Sequence, residues 1–186
     1  TLTGLTPQTD YEFYVKGICG PSDSSISAGP GAIRTACLFT LNGAYTVNPA
    51  AVASSTNFVS LQSLFQTLED CGMSGPSVVT VAAGSGPHIM NWDLNGVNGL
   101  NGTNTLTIDG NGTTVNRGSG TYFLALDGIT HLTIENFNFI NEIPTSNVFG
   151  IMMRGGCDSI TIKNNTINVG LNITSSLAVC ITATNS

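Results

Sequence analysis

Leu132-Thr133-Ile134-Glu135 decides the fold, because its wording returns along the chain as Val79-Thr80-Val81, Leu106-Thr107-Ile108 and Ile160-Thr161-Ile162. The first apolar positions are 27, 26 and 28 residues apart (79 to 106, 106 to 132, 132 to 160). Each copy sets a Thr between two aliphatic residues, the period-two alternation of a strand with one buried face. A strand that recurs at a near-constant interval with the same residue types predicts a chain coiling on itself.

Further elements keep the same interval. Leu124-Ala125-Leu126-Asp127-Gly128 matches Ile151-Met152-Met153-Arg154-Gly155 and, further on, Val179-Cys180-Ile181-Thr182-Ala183, while Asn136-Phe137-Asn138-Phe139 matches Asn164-Asn165-Thr166-Ile167. The pattern is three strands per turn, with strands about 4.8 Å apart from one turn to the next. Leu106, Leu132 and Ile160 then form one inward column, and Ile108, Ile134 and Ile162 another. Asn136 over Asn164 falls at a turn, where stacked side-chain amides make a ladder and where Asn tolerates the left-handed conformation. Cys157 takes the turn position of Ile129 and reads as a small buried hydrophobe.

Upstream, Phe58, Leu61, Leu64, Phe65 and Leu68 recur at helical spacing, with Thr56 or Asn57 as the cap and Gly72 as a left-handed stop. A helix placed just before the first repeat can cover the apolar end of a coil and its unpaired strand edges. Gly43, Pro49 and a Ser/Thr run mark 38–56 as a linker. Residues 84–102, around the single Trp, read as an irregular excursion.

Hydrophobic residues make up 41% of the chain and charged residues 9%, a balance that supports a packed core. A net charge of -6 with only five Lys and Arg argues against nucleic acid as a partner, because that interface needs a basic stripe. No apolar run approaches the ~20 residues of a membrane span. The five cysteines form no CxxC pair and have no His at zinc spacing, so no metal site is expected. Cys19 and Cys37 flank a Gly/Ser/Pro segment and are assigned a local disulfide, which implies an oxidising, extracellular setting. The absent initiator Met and leader, and a last turn that breaks off at Ser186, read as a segment of a longer polypeptide with other domains as partners.

The outward positions of the main strand carry the candidate chemistry. They are Thr105, Thr107 and Asp109, then His131, Thr133 and Glu135, then Ser159, Thr161 and Lys163. Asp109, Glu135 and Lys163 are the candidate catalytic groups: stacked carboxylates beside a base can hold Ca²⁺ on an acidic sugar or act as an acid/base pair across a glycosidic bond. Ca²⁺ enters only with that enzyme reading; otherwise no cofactor is expected. The plainer reading makes Glu135 and Lys163 a cross-rung ion pair, and Asp127 and Arg154 another. Thr107, His131, Thr133 and Thr161 are the candidate ligand-binding positions, the Thr residues forming with Thr80 a hydroxyl column suited to a flat glycan or a crystal face. Asp109-Gly110-Asn111-Gly112 lacks the terminal carboxylate of a Ca²⁺ loop and reads as a turn.

The coil, over roughly residues 77–186, resembles the right-handed parallel β-helix of the pectin-lyase-like superfamily. That resemblance implies polysaccharide lyases or glycoside hydrolases with sites on the outer face of a sheet. The Asn-Thr-Asp, Asp-Asp and Gly-His-Gly motifs of its catalytic members are absent here. Leu2-Thr3-Gly4-Leu5-Thr6-Pro7-Gln8-Thr9-Asp10-Tyr11-Glu12-Phe13-Tyr14-Val15 is similar to the E–F corner of a fibronectin type III domain, with Tyr11 as the corner tyrosine and Ala32 to Cys37 as the last strand. It covers less than half of such a sandwich of about 100 residues. The expected fold is all-β: a parallel β-helix of about four turns with a capping helix (57–186), a linker (38–56) and the end of a fibronectin-like domain (1–37). The expected function is that of a non-catalytic segment of a secreted or cell-surface modular bacterial protein, as an adhesion, glycan-binding or spacer module. A polysaccharide lyase or glycoside hydrolase is the competing expectation. Polysaccharide or cell-surface glycan is the expected partner, with no membrane span in this chain.

Overall fold

The computed structural model describes residues 3–6, 9–37, 39–142, 145–170 and 173–183, leaving aside the side chains of 145–147 and 173–180. Expectations that rest on Leu2, Pro7, Gln8, Ser186 and the Val179 and Cys180 side chains lie outside the described residues. The chain divides into two compact units, Thr1–Phe39 and Thr40–Ser186.

The first unit holds β1 (Asp10–Val15), β2 (Ile18–Gly20), β3 (Asp23–Ser24) and β4 (Ala28–Arg34). β1 pairs antiparallel with β4, Asp10 opposite Arg34 and Phe13 opposite Gly31, and β2 pairs antiparallel with β3. The pairing at Gly31 follows from space: a Cβ there would meet the Phe13 ring. Tyr11 hooks its hydroxyl back onto the preceding chain, accepting from the Thr6 N–H at 2.9 Å. The final strand thus runs over 28–34 rather than 32–37. Phe13, Val15 and Ile33 remain 44%, 59% and 49% exposed, so this unit packs no core of its own on that face.

The Cys19–Cys37 bridge does not form: Cys19 is a free thiol, whereas Cys37 and Cys71 are disulfide-bonded. The register supplies the reason. Cys19 lies past Val15, at the end of β1 that meets Ala28, and Cys37 lies past Arg34, at the end that meets Asp10. A six-residue strand at about 3.4 Å per residue separates them, far beyond the ~7 Å Cα separation that a disulfide spans.

The second unit is a parallel β-solenoid of about five turns, one more than the repeat suggested. Its elements, in chain order, are β5 (Leu41–Val47), β6 (Asn57–Phe58), α1 (Leu61–Cys71), β7 (Met73–Val81), β8 (His88–Met90), β9 (Trp92–Asn95), β10 (Leu106–Asp109), β11 (Thr114–Arg117), β12 (Tyr122–Asp127), β13 (Leu132–Glu135), β14 (Asn138–Ile140), β15 (Thr145–Arg154), β16 (Thr161–Lys163), β17 (Thr166–Asn168) and β18 (Ile173–Ala183). Strand orders are β16-β13-β10-β7-β5-β6 in the main sheet, β17-β14-β11-β8 in the second and β18-β15-β12-β9 in the third. The extra turn comes from the stretch 38–56, which carries β5 instead of serving as a linker. Residues 84–102 likewise contain β8 and β9 and complete a turn.

The columns of the core follow the repeat. Leu106 faces Leu132, and Ile108, Ile134 and Ile162 stand in line. Leu106, Ile108, Leu132 and Ile134 are each no more than 2% exposed. Burying an aliphatic side chain of this size contributes about 1.5–3 kcal/mol, so the repeat is primarily a core. One register differs from the alignment of motifs. Val79 pairs with Ile108 and Thr80 with Asp109, two residues away from the match of Val79 with Leu106. A slip of two keeps every inward side chain inward, so the alternation is blind to it.

The turns after the main strands are left-handed, as the Asn residues suggested: Asn136 has φ 59° and Asn164 φ 55°. The amide bonds between turns run differently from a stack of those two. Asn136 Nδ2 donates to Asp109 Oδ1, while Asn165 Nδ2 donates to Ile134 O and its Oδ1 accepts from the Phe137 N–H, each at 2.9 Å. Cys157 keeps the turn position of Ile129, since the next residues pair as Thr130 with Asp158. It is half-buried rather than buried, its thiol directed at the carbonyls of Arg154 and Leu126 at 3.1 and 3.3 Å.

α1 closes the coil at its first turns. Ser60, not Thr56 or Asn57, is its N-cap: Ser60 and Ser63 satisfy each other's backbone N–H groups in a capping box. Phe58 belongs to β6, and Asn57 anchors the preceding loop by donating to the carbonyls of Asn48 and Val52 at 3.2 Å. Leu61, Leu64, Phe65 and Leu68 are buried, Phe65 stacking on Trp92 with ring centroids 6.2 Å apart. The polar side chains of the helix meet bare strand edges. Gln62 donates to the carbonyl of Ile89 in β8, and Glu69 accepts from the N–H of Asn95 in β9 at 2.9 Å.

Candidate functional site

On the outer face of the main sheet, parallel pairing fixes two columns. Ala44, Val78, Thr107, Thr133 and Thr161 form one; Thr46, Thr80, Asp109, Glu135 and Lys163 form the other. The structure therefore brings together Asp109, Glu135 and Lys163, and also Thr107, Thr133 and Thr161. Thr80 leaves the hydroxyl column and joins the charged one. His131 is not brought in. It precedes β13 with φ 52°, as Ser159 precedes β16 with φ 54°, so the strand alternation ends before both residues. The His131 Nδ1 is buried without a hydrogen-bond partner among the described residues.

Each carboxylate of this face is already engaged. Lys163 Nζ lies 2.8 Å from Glu135 Oε2, with Glu135 the more buried partner. Asp109 Oδ1 accepts from the Asn111 N–H and from Asn136 Nδ2, both at 2.9 Å. That is an Asx turn braced by the next rung, and it explains why Asp109-Gly110-Asn111-Gly112 turns there. As arranged, the column is a ladder of satisfied charges. No group of three or more His, Cys, Asp or Glu placed to hold a metal ion occurs among the described residues.

A second charged cluster lies on the outer face of the third sheet. Asp127 pairs with Arg154 in register, and Asp93 stands beside Ala125, one rung earlier. Arg154 Nε donates to Asp127 Oδ2 at 2.8 Å, and its Nη2 reaches Asp93. Ala125, the register partner of Asp93, is 0% exposed. The Asp127 hydrogen bond, then the Asp93 charge, push the guanidinium pKa further up. Burial pushes the Tyr122 phenol up, with the Asp93 charge adding to the effect and Arg154 opposing it.

The pairing of Asp127 with Arg154 was readable from the repeat, but Asp93 was not. Leu94, Leu126 and Met153 share a column, yet the step from 94 to 126 is 32 residues and from 126 to 153 only 27. The loop of 96–105 absorbs the difference and hides the alignment. No family model matches this chain, and no curated protein or solved structure matches it.

Proposed function

We propose that this chain is a non-cleaving module of a secreted or cell-surface modular protein, in which the coil serves as a rigid spacer that offers a glycan a flat hydroxyl-bearing face. The observation that carries the reading is the engagement of the outward carboxylates. Glu135 is held by Lys163, Asp109 by Asn111 and Asn136, and Asp93 with Asp127 by Arg154. A glycosidase needs one carboxyl group to protonate a leaving oxygen and a second to attack or to activate water. Carboxylates tied to cations and amides in one rigid ladder are poorly placed for either task.

The neighbouring column supports the binding half of the proposal. Thr107, Thr133 and Thr161 repeat at strand spacing on an uncharged strip, each hydroxyl both donor and acceptor, as a sugar hydroxyl is. Likeness to the pectin-lyase-like β-helix rests on the three parallel sheets. Likeness to a fibronectin type III end rests on the β1–β4 pair and the Tyr11 hydroxyl on Thr6. The bonded Cys37 and Cys71 favour an oxidising, exported setting. The test is retention on immobilised neutral and acidic polysaccharides, comparing the native chain with Thr133→Lys. Retention that the Thr133→Lys substitution abolishes, at an unchanged melting temperature, supports the reading. Retention on no polysaccharide, or retention indifferent to the substitution, overturns it for this face.

A further inference from the structure

Outside both charged clusters, a groove of about 320 Å³ lies where the turn between β7 and β8 meets the start of β11. Gly84, Gly86 and Gly112 line one part of it, and Thr113, Asn116 and Glu142 another. Thr113 is 5% exposed, and its Oγ1 is buried with no hydrogen-bond partner among the described residues. Asn116 Oδ1 is in the same condition. Five buried side-chain polar atoms of the described residues lack a partner, and two of them belong to residues of this one groove. Asn116 Nδ2 donates to Glu142 Oε2 at 2.8 Å, which fixes the carboxylate beside it. A Cβ on Gly86 would meet Thr113 Cγ2 and the Thr114 carbonyl oxygen at 3.0 Å, so glycine is what lets the turn come this close to the strand. The Gly86 N–H makes no hydrogen bond among the described residues.

We propose that this groove binds one neutral sugar ring of a glycan. The proposal goes beyond the main-sheet reading and does not depend on it. A buried polar atom without a partner costs free energy that a bound group restores, and two such atoms beside one groove point to a ligand there.

The chemistry of the lining selects the ligand. No Lys or Arg is among the described residues that line the groove, so an anion would meet only the Glu142 carboxylate. No aromatic ring lines it either, so a flat heterocycle has no stacking face. One carboxylate, one amide oxygen and one hydroxyl fall short of the six to eight oxygens (about 6–8) that Ca²⁺ takes. An ammonium group only donates and would leave the Gly86 N–H unmet. A sugar hydroxyl donates and accepts, so neighbouring hydroxyls can serve Asn116 Oδ1, Thr113 Oγ1 and Glu142 as acceptors and Gly86 as donor. The volume is at the low end of the ~300–1,000 Å³ of small-molecule pockets, which suits a single ring.

The experiment titrates the ¹⁵N-labelled 186-residue chain with D-glucose, D-galactose, D-mannose and D-galacturonate, read by amide chemical shifts. At least one neutral sugar should shift the Gly84, Gly86 and Gly112 amides and the Asn116 side chain, saturating in the millimolar range. Galacturonate, which differs from galactose by a carboxylate, should bind at least ~10-fold more weakly than galactose, and Glu142→Gln should narrow that gap. Asn116→Ala should weaken binding at least ~10-fold at an unchanged melting temperature. Thr113→Val, which removes the unpartnered hydroxyl, should weaken binding while raising the melting temperature of the free chain. Thr133→Lys, on the main sheet, should leave the groove shifts in place, so the two sites fail separately. No shift with any neutral sugar, shifts confined to other residues, or an affinity that neither Asn116→Ala nor Thr113→Val changes overturns the proposal.

Discussion

Arg154 donates through Nε to the Asp127 carboxylate of the preceding turn at 2.8 Å, and the same guanidinium extends to Asp93 one turn further. One side chain thus ties three successive turns of the third sheet. Replacing it by Met keeps an apolar stem of similar length but leaves the carboxylates of Asp93 and Asp127, diagonal neighbours on adjacent rungs, without their shared cation. Arg154→Met should therefore lower the urea midpoint with an unchanged m-value. Asp127→Asn should recover part of the loss by removing one of the opposed charges. Urea titrations of the three proteins, followed by circular dichroism, check this.

The inward columns set the scale of the fold's stability. Ile134 stands between Ile108 and Ile162 at 2% exposure, so Ile134→Ala removes buried surface and opens a void shared by three turns. The expected cost is about 2–5 kcal/mol. Thr133→Ala, on the outer face of the same strand, should stay within about 0.5 kcal/mol. Equilibrium unfolding of the pair separates core from surface.

Glu69 should matter more for solubility than for stability. Its carboxylate occupies the N–H of Asn95 at the edge of the third sheet. Glu69→Ala removes one exposed hydrogen bond, a loss of about 0.5–1.5 kcal/mol, and bares an edge to which another chain can pair. Sedimentation velocity should show association that grows with protein concentration, absent in the native chain.

His88 gives the second unit a dependence on acid. Burial lowers its pKa below the ordinary value of 6.5, so the unfolded chain takes up a proton that the folded chain resists. Its stability is complete above the unfolded pKa and declines as pH falls from about 6.5 toward the lower folded value. Measured unfolding free energies should drop between pH 7.5 and pH 5, and His88→Gln should flatten that slope. An equal slope in both proteins would remove His88 as the cause.

How far the coil was legible in the chain depends on what period two can encode. Leu106, Ile108, Leu132 and Ile134 announced their columns because inward aliphatic residues recur at nearly constant spacing. The pairing of Val79 with Ile108 was hidden, since a two-residue slip exchanges one inward residue for another without exposing either. Strand β5 was hidden by Gly43 and the polar Asn42 and Thr46, which read as loop, although Leu41, Tyr45 and Val47 are buried. The site divides in the same way. Glu135 and Lys163 follow from alternation, whereas the bond from Asn136 to Asp109 depends on a left-handed turn that carries no periodic signal. The contact of Ser85 with His88 is local, but only the fold reveals that His88 is buried.

The central claim is that the outward carboxylates hold the coil together and do not cut glycans. It is tested most directly by product release from a panel of acidic and neutral polysaccharides, with and without Ca²⁺. Reducing ends and the ultraviolet absorbance of unsaturated products should both stay at the level of buffer for the native chain and for Glu135→Gln. Product release by the native chain that Glu135→Gln abolishes would contradict the account.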